Sequence, residues 1–203
     1  LRTAQKQATR ERVLCAAKDL FGRLGYEGTT IREIARQAGV SVGSVFTTFA
    51  SKGEILSQVM QDRLDGLYAE LDRVVPHLRG PTPDRLRTMF AIHFAFEEPH
   101  VHLFMAHIAA TYDWTQTEAA RPFGKTPRLQ HIMLECLAKG VEAGDVDPQA
   151  DLQGIVDLLM SAYAWTYRLA AWQGADAKTM TEVMDRQIGL IAGGFTRTTA
   201  SVS

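Results

Sequence analysis

Three histidines, His100, His102 and His107, follow the pair Glu97-Glu98, and all are metal-ligand types. A metal centre needs them to converge. Pro99 marks a helix start, and His102 and His107 are five residues apart on that helix, so they splay. No metal is expected. His131 and Glu135 share one helix and read as a solvated pair. HExxH, GxSxG, GxGxxG and P-loop patterns are absent. Cys15 and Cys136 have no CxxC partner and no zinc spacing, so they read as free thiols of a reducing, cytoplasmic compartment. Cys136 lies in an apolar helix stripe as a small buried hydrophobe. No cofactor is expected, and a helical metalloenzyme or hydrolase is a minor alternative.

Recognition by small, uncharged side chains is the other chemistry on offer. Residues 39–52 read GVSVGSVFTTFASK, with no charge before Lys52. Gly39 ends one helix with the positive φ that folds the chain back. Ser41 can cap the next, with Val42, Val45, Phe46 and Phe49 as its apolar members. Helix, glycine-containing turn and short helix make a helix-turn-helix, whose second helix lies in a DNA major groove. On that reading Thr30, Val42, Gly43, Ser44, Phe46, Thr47, Thr48 and Lys52 face double-stranded DNA. The hydroxyls of Ser44 and Thr47 read bases, Val42 meets a thymine methyl, and Lys52 meets phosphate. Charge agrees: residues 1–60 hold nine Lys/Arg against five acids, a local +4 in a chain of net −1.

The elements that position these residues are helical throughout. No run keeps a period-two alternation, and the predicted fold is all-α with about nine helices. A first helix over about 6–24 carries Val13, Leu14, Ala17, Leu20, Phe21 and Leu24 on one stripe. Thr30-Ile31-Arg32-Glu33 is a capping box that opens the second helix, and Ser51-Lys52-Gly53-Glu54 is another that opens the fourth. Thr82-Pro83, Pro99, Asp147-Pro148 and Asp176 mark later starts. Ile155 to Trp172 is the longest apolar stretch, but Asp157 and Arg168 interrupt it, so no membrane span is expected.

The penultimate helix is apolar on two sides. Leu152, Val156, Leu159 and Tyr163 form one stripe; Leu158, Ala162, Trp165 and Leu169 form the other. One side can meet its own body while the other wants a partner. Two such helices from each of two chains make a four-helix bundle. Leu152, Val156, Leu159 and Tyr163, with Met184, Ile188 and Ile191 of the last helix, are assigned to this homodimer interface.

From Thr9 to Leu56 the chain resembles the DNA-binding domain of the TetR family of transcriptional regulators. The resemblance rests on Arg10-Glu11-Arg12-Val13-Leu14, Leu20-Phe21, Gly25-Tyr26, Thr29-Thr30-Ile31, Ala38-Gly39-Val40-Ser41, Gly43, Phe49 and Ser51-Lys52, in register without a gap. It implies a homodimer, a small-molecule pocket in the larger domain, and repression released by the ligand. Domain limits of 1–50 for DNA reading and 51–203 for ligand binding and dimerisation follow. The family usually has Tyr where this chain has Phe46, often His at Thr48, and often Lys at Val42; the first two commonly touch phosphate. Operator binding is thus expected with fewer charged contacts than usual.

Aromatic and Met residues crowd the middle helices. Phe90, His93, Phe94, Phe104, His107, Ile108, Tyr112 and Met133 are assigned to the pocket for a small apolar or aromatic ligand, with His93 as its polar handle. A helical dimeric adaptor that uses its first helices for protein contact, without sequence-specific DNA binding, is the alternative.

Overall fold

The computed structural model describes residues 2–111, 128–174 and 176–195. Among them are nine α-helices, two short 3-10 turns and no strand, the all-α architecture that the periodicity predicts. They gather into two compact units, one of residues 2–66 with 100–111 and one of the remainder.

The first unit is built on α1 (Arg2–Leu24), α2 (Ile31–Ala38) and α3 (Val42–Phe46), which pack on one another. It also holds the beginning of α4 (Lys52–Val74), and α6 (Val101–Thr111) belongs to it. Val13, Ala17, Leu20 and Phe21 of α1, Ile34, Ala35 and Ala38 of α2, Val45 of α3 and Phe49 are all buried. Each large side chain among them contributes roughly 1.5–3 kcal/mol by leaving water. Leu24, expected on the inner stripe of α1, is exposed. Arg10 lies over the Phe49 ring, 4.9 Å from its centroid, and donates to Gln58.

The second unit comprises the end of α4, a 3-10 turn at Val75–His77, α5 (Thr82–Glu97), α7 (Arg128–Ala143), α8 (Leu152–Gln173) and α9 (Ala177–Ala192). Helices α5 and α8 each pack against both α7 and α9. Two helix starts differ from expectation. Thr82 lies inside α5, and its amide and hydroxyl are held by the Asp145 carboxylate from the α7–α8 connection. Arg85 donates to the same hydroxyl and lies 3.7 Å from Asp145. Helix α8 starts at Leu152 with Asp151 as its cap, which accepts the Gly154 amide at 3.0 Å. Asp147 is used otherwise: its carboxylate accepts the Gln149 amide, and its own amide donates to the Phe195 carbonyl. Asp176 caps α9 as predicted, accepting the Thr179 amide at 2.8 Å. Among the described residues no helix is long and apolar enough to cross a membrane.

Candidate nucleic-acid interface and effector site

The turn between α2 and α3 is fixed by local chemistry. Thr30 and Glu33 form the full capping box: the Thr30 hydroxyl oxygen accepts the Glu33 amide, and the Glu33 carboxylate accepts the Thr30 amide. Backbone donation to Glu33 holds its carboxyl below the usual carboxylate range, with the Thr30 hydroxyl adding to it. Gly39 sits at φ 65°, the left-handed region where a side chain would strain the backbone. Ser41 then caps α3 by accepting the Ser44 amide at 3.0 Å.

Helix α3 therefore leaves the body at a set angle, with Val45 buried and Val42, Gly43, Phe46 and Thr47 exposed. Its hydroxyls are mostly committed inward. Thr47 and Thr48 both donate to the Ser44 carbonyl, at 2.9 and 3.0 Å, and the Ser41 and Ser44 hydroxyls pair at 2.9 Å. With their protons given away, the hydroxyl oxygens of the two threonines can act only as acceptors, and no cation lies on α3.

Lys52, expected to meet phosphate, spends its ammonium elsewhere. It donates to the carbonyls of Tyr26 (2.8 Å) and Thr29 (3.1 Å) and lies 4.2 Å from the Tyr26 ring centroid. It thus ties the α1–α2 turn to the start of α4. The second capping box is only half formed. Ser51 accepts the Glu54 amide, but the Glu54 carboxylate accepts the Ala50 amide rather than that of Ser51. Exposed cations near the turn include Arg12 of α1, whose guanidinium lies nearest Gly39, and Arg32 and Arg36 of α2, the last two of which sequence pattern did not single out. In a helix-turn-helix the first helix crosses the DNA backbone, and Arg32 and Arg36 sit on it.

In the second unit, α5 and α8 assemble a buried polar and aromatic cluster. His93 Nε2 lies 2.7 Å from the Glu97 carboxylate and 2.8 Å from the Tyr163 hydroxyl, which donates to Glu97 at 3.2 Å. Phe94 stacks on Tyr163 at 6.0 Å, and Tyr167 meets Tyr163 edge-on at 5.1 Å. Phe90 closes the group 6.0 Å from Tyr163. His93 Nδ1 and the Tyr167 hydroxyl are buried with no hydrogen-bond partner. A buried polar group left unpaired costs about 1–3 kcal/mol, so such groups are usually satisfied by water or by a ligand.

Of the residues assigned to a pocket, Phe90, His93 and Phe94 thus come together, and Met133 is buried on α7. Phe104, His107 and Ile108 lie on α6 in the first unit. Tyr112 lies outside the described residues. Glu97 and Tyr163 were missed as partners of His93; the His93–Glu97 spacing of one helical turn was the available signal. His100, His102 and His107 do not join a metal-binding group among the described residues.

His107 carries a pH prediction. Burial pushes its pKa from 6.5 down to about 4, and its Nδ1 has no hydrogen-bond partner. The unfolded chain therefore binds this proton first, so stability falls as pH drops through 6.5 and the loss levels off below about 4. Between pH 7 and 4 the wild type is expected to lose about 3 kcal/mol from this group. Urea titrations at both pH values should show a His107→Gln variant losing less by that amount.

The dimer assignment needs correction. Val156, Leu159, Met184 and Ile188 have no exposed surface in a single chain, and Tyr163 is buried against α5. A side chain already removed from water gains nothing from a partner. The opposite stripe of α8 is the exposed one: Leu158, Trp165 at 54% and Trp172 at 80%, joined by Leu190 of α9 at 76%. Leu152 and Ile191 are half-buried.

Residues 13–59 match the family described as bacterial regulatory proteins, tetR family. Over 199 residues the chain is 25% identical to the HTH-type transcriptional repressor KstR2 of Mycobacterium tuberculosis, covering 95% of this chain and 96% of that one. Residues 13–59 are thus a DNA-binding segment of the TetR type, and along most of its length the chain is similar to HTH-type transcriptional regulators. The matched segment contains the whole of α2 and α3. These relatives are transcriptional regulators and not enzymes, which speaks against the metalloenzyme alternative. The HTH-type transcriptional regulator HbdR of Aromatoleum is 23% identical over 92% of this chain and 80% of its own. Thermus thermophilus FadR, a TetR-family repressor solved in complex with lauroyl-CoA, has a TM-score of 0.76 at 23% identity, covering 96% of this chain and 98% of that one. The ketosteroid transcriptional regulator KstR2 of M. tuberculosis has a TM-score of 0.52 at 25% identity, covering 93% and 95%.

Proposed function

We propose that this TetR-family chain is a cytoplasmic, homodimeric repressor that reads a near-palindromic operator through α3 and leaves it when an apolar ligand binds the second unit. The observation that carries the reading is the exposed α3, with its two apolar side chains and its Gly43, held by two helix caps and a left-handed glycine. Residues 1–50 read DNA; residues 51–203 hold the ligand and dimerise. Phosphate contacts come from Arg32 and Arg36 rather than from Lys52.

The exposed Leu158, Trp165, Trp172 and Leu190 supply the dimer surface. They present large apolar area on the last two helices, where a two-fold contact makes a four-helix bundle. The ligand reading is supported by the unpaired His93 Nδ1 and Tyr167 hydroxyl within an aromatic cluster. Such a cluster suits a ligand that is apolar along its length and polar at one end. The lauroyl chain of lauroyl-CoA, bound by the Thermus protein, is such an apolar segment, carried on a polar group at one end. Helix α4 belongs to both units, which gives ligand and DNA a shared element to bias, with a coupling of about 1–3 kcal/mol.

Selection of bound duplexes from a random pool by the full chain tests this reading. A motif of two inverted half-sites roughly 34–36 Å or slightly more apart is expected. Recovery of no motif, with retention that depends on salt alone, would leave a non-specific binder and end the repressor reading.

A further inference from the structure

We infer that Val42 and Phe46 form a two-point reader of thymine methyl groups, so that each half-site carries two thymines set by α3. The inference rests on the DNA-reading function proposed above and assigns the bases it selects.

Phe46 is 53% exposed and Val42 38%, on a helix whose other apolar member, Val45, is fully buried. They stand four residues apart and share one face. Along an α-helix that spacing is about 6 Å, just under two base-pair steps of about 3.4 Å each. Neither side chain is needed to close the core, since Val45 and Phe49 do that. Gly43 between them has no internal reason to lack a side chain. A Cβ there would meet nothing nearer than the Ser41 hydroxyl at 3.7 Å, an ordinary contact. Its bareness leaves room for the helix backbone to approach something outside the chain.

The polar groups of α3 point to the same bases. Guanine shows only acceptors, N7 and O6, in the major groove, and is read by donors such as Arg. Here no cation lies on α3, and the Thr47 and Thr48 protons are already given to the Ser44 carbonyl. What α3 presents is two apolar side chains, the threonine oxygens as acceptors, and the one hydroxyl proton left over from the Ser41–Ser44 pair, which suits the N7 acceptor of adenine as well as that of guanine. Acceptors suit the N6 amino group of adenine or the N4 amino group of cytosine, while apolar side chains suit the C5 methyl group of thymine. A·T pairs satisfy both demands.

Replacing thymine by deoxyuridine removes the methyl group and leaves base pairing intact. In the selected operator, each half-site thymine is replaced in turn and the affinity of the full chain measured by fluorescence anisotropy. Two thymines per half-site are expected to lose roughly fourfold each, the value of one buried methyl. Val42→Ala should cancel the loss at one of them and Phe46→Ala at the other. Both residues are exposed, so thermal melts of these variants serve as folding controls. Indifference to every deoxyuridine overturns the inference, as do losses that persist unchanged in both variants. Failure to recover any motif would instead sink the underlying DNA reading, so the two failures are told apart.

Discussion

Trp165→Glu is expected to convert the proposed dimer into a folded monomer. Trp165 projects from the outer stripe of α8 between Leu158 and Trp172, each one heptad away and each exposed. Losing a central aromatic anchor costs an interface roughly 2–4 kcal/mol. Two-fold symmetry places the change on both sides, so the dimer dissociation constant should rise by roughly a thousandfold or more. Operator affinity should fall with it, because two reading heads no longer act together. Helical content by circular dichroism should be kept, since the inner stripe of α8 is untouched. Leu159→Glu should do the opposite: it places a charge in the core and should give loss of folding rather than clean monomers. Sedimentation at micromolar concentration checks both. A dimeric Trp165→Glu protein would place the interface elsewhere.

The second large effect is expected at the buried pair of α5. Glu97→Ala leaves the His93 ring and the Tyr163 hydroxyl facing a hole where the carboxylate stood. Breaking one side of a buried, hydrogen-bonded pair costs about 3–5 kcal/mol. The double change His93→Phe with Glu97→Leu removes both polar partners and keeps the volume, and is expected to recover most of that loss. Urea denaturation measures these stabilities. DNA binding without ligand should survive in the double variant, while release by an apolar ligand with a polar end should not. A double variant that is stable and still responds to such ligands would make the cluster purely structural. Recovery in stability with loss of response separates the two roles of these residues, which a single substitution cannot do.

Much of the reading head was legible in the sequence because its determinants are local. The Thr30–Glu33 box, the Ser41 cap and the turn at Gly39 each depend on residues within about one helical turn. Type and spacing alone therefore fixed α2, the corner and α3, and left Val42, Phe46 and Thr47 outside. The Asp176 cap was readable for the same reason. The family resemblance followed from these residues in one register over α1 to α4.

What failed to show in the sequence depends on partners distant along the chain. Lys52 looked like a phosphate contact because nothing near it in sequence competes for its charge. The carbonyls of Tyr26 and Thr29 reach it only once α1 and α4 are packed. Asp145 took over the start of α5 from 63 residues away, which no capping pattern can announce. The two stripes of α8 are equally apolar, and periodicity cannot tell the side that faces its own core from the side left in water. Packing of α8 on α9 and α7 decided it, burying Val156 and Leu159 and leaving Trp165 and Trp172 in water. Likewise His93 could be read as a lone polar handle until α8 brought Tyr163 to it, 70 residues away. The sequence determined the helices, their caps and the reading helix, because these are set by neighbours in the chain; the tertiary structure decided which faces are core and which charges are already spent, because those depend on neighbours in space.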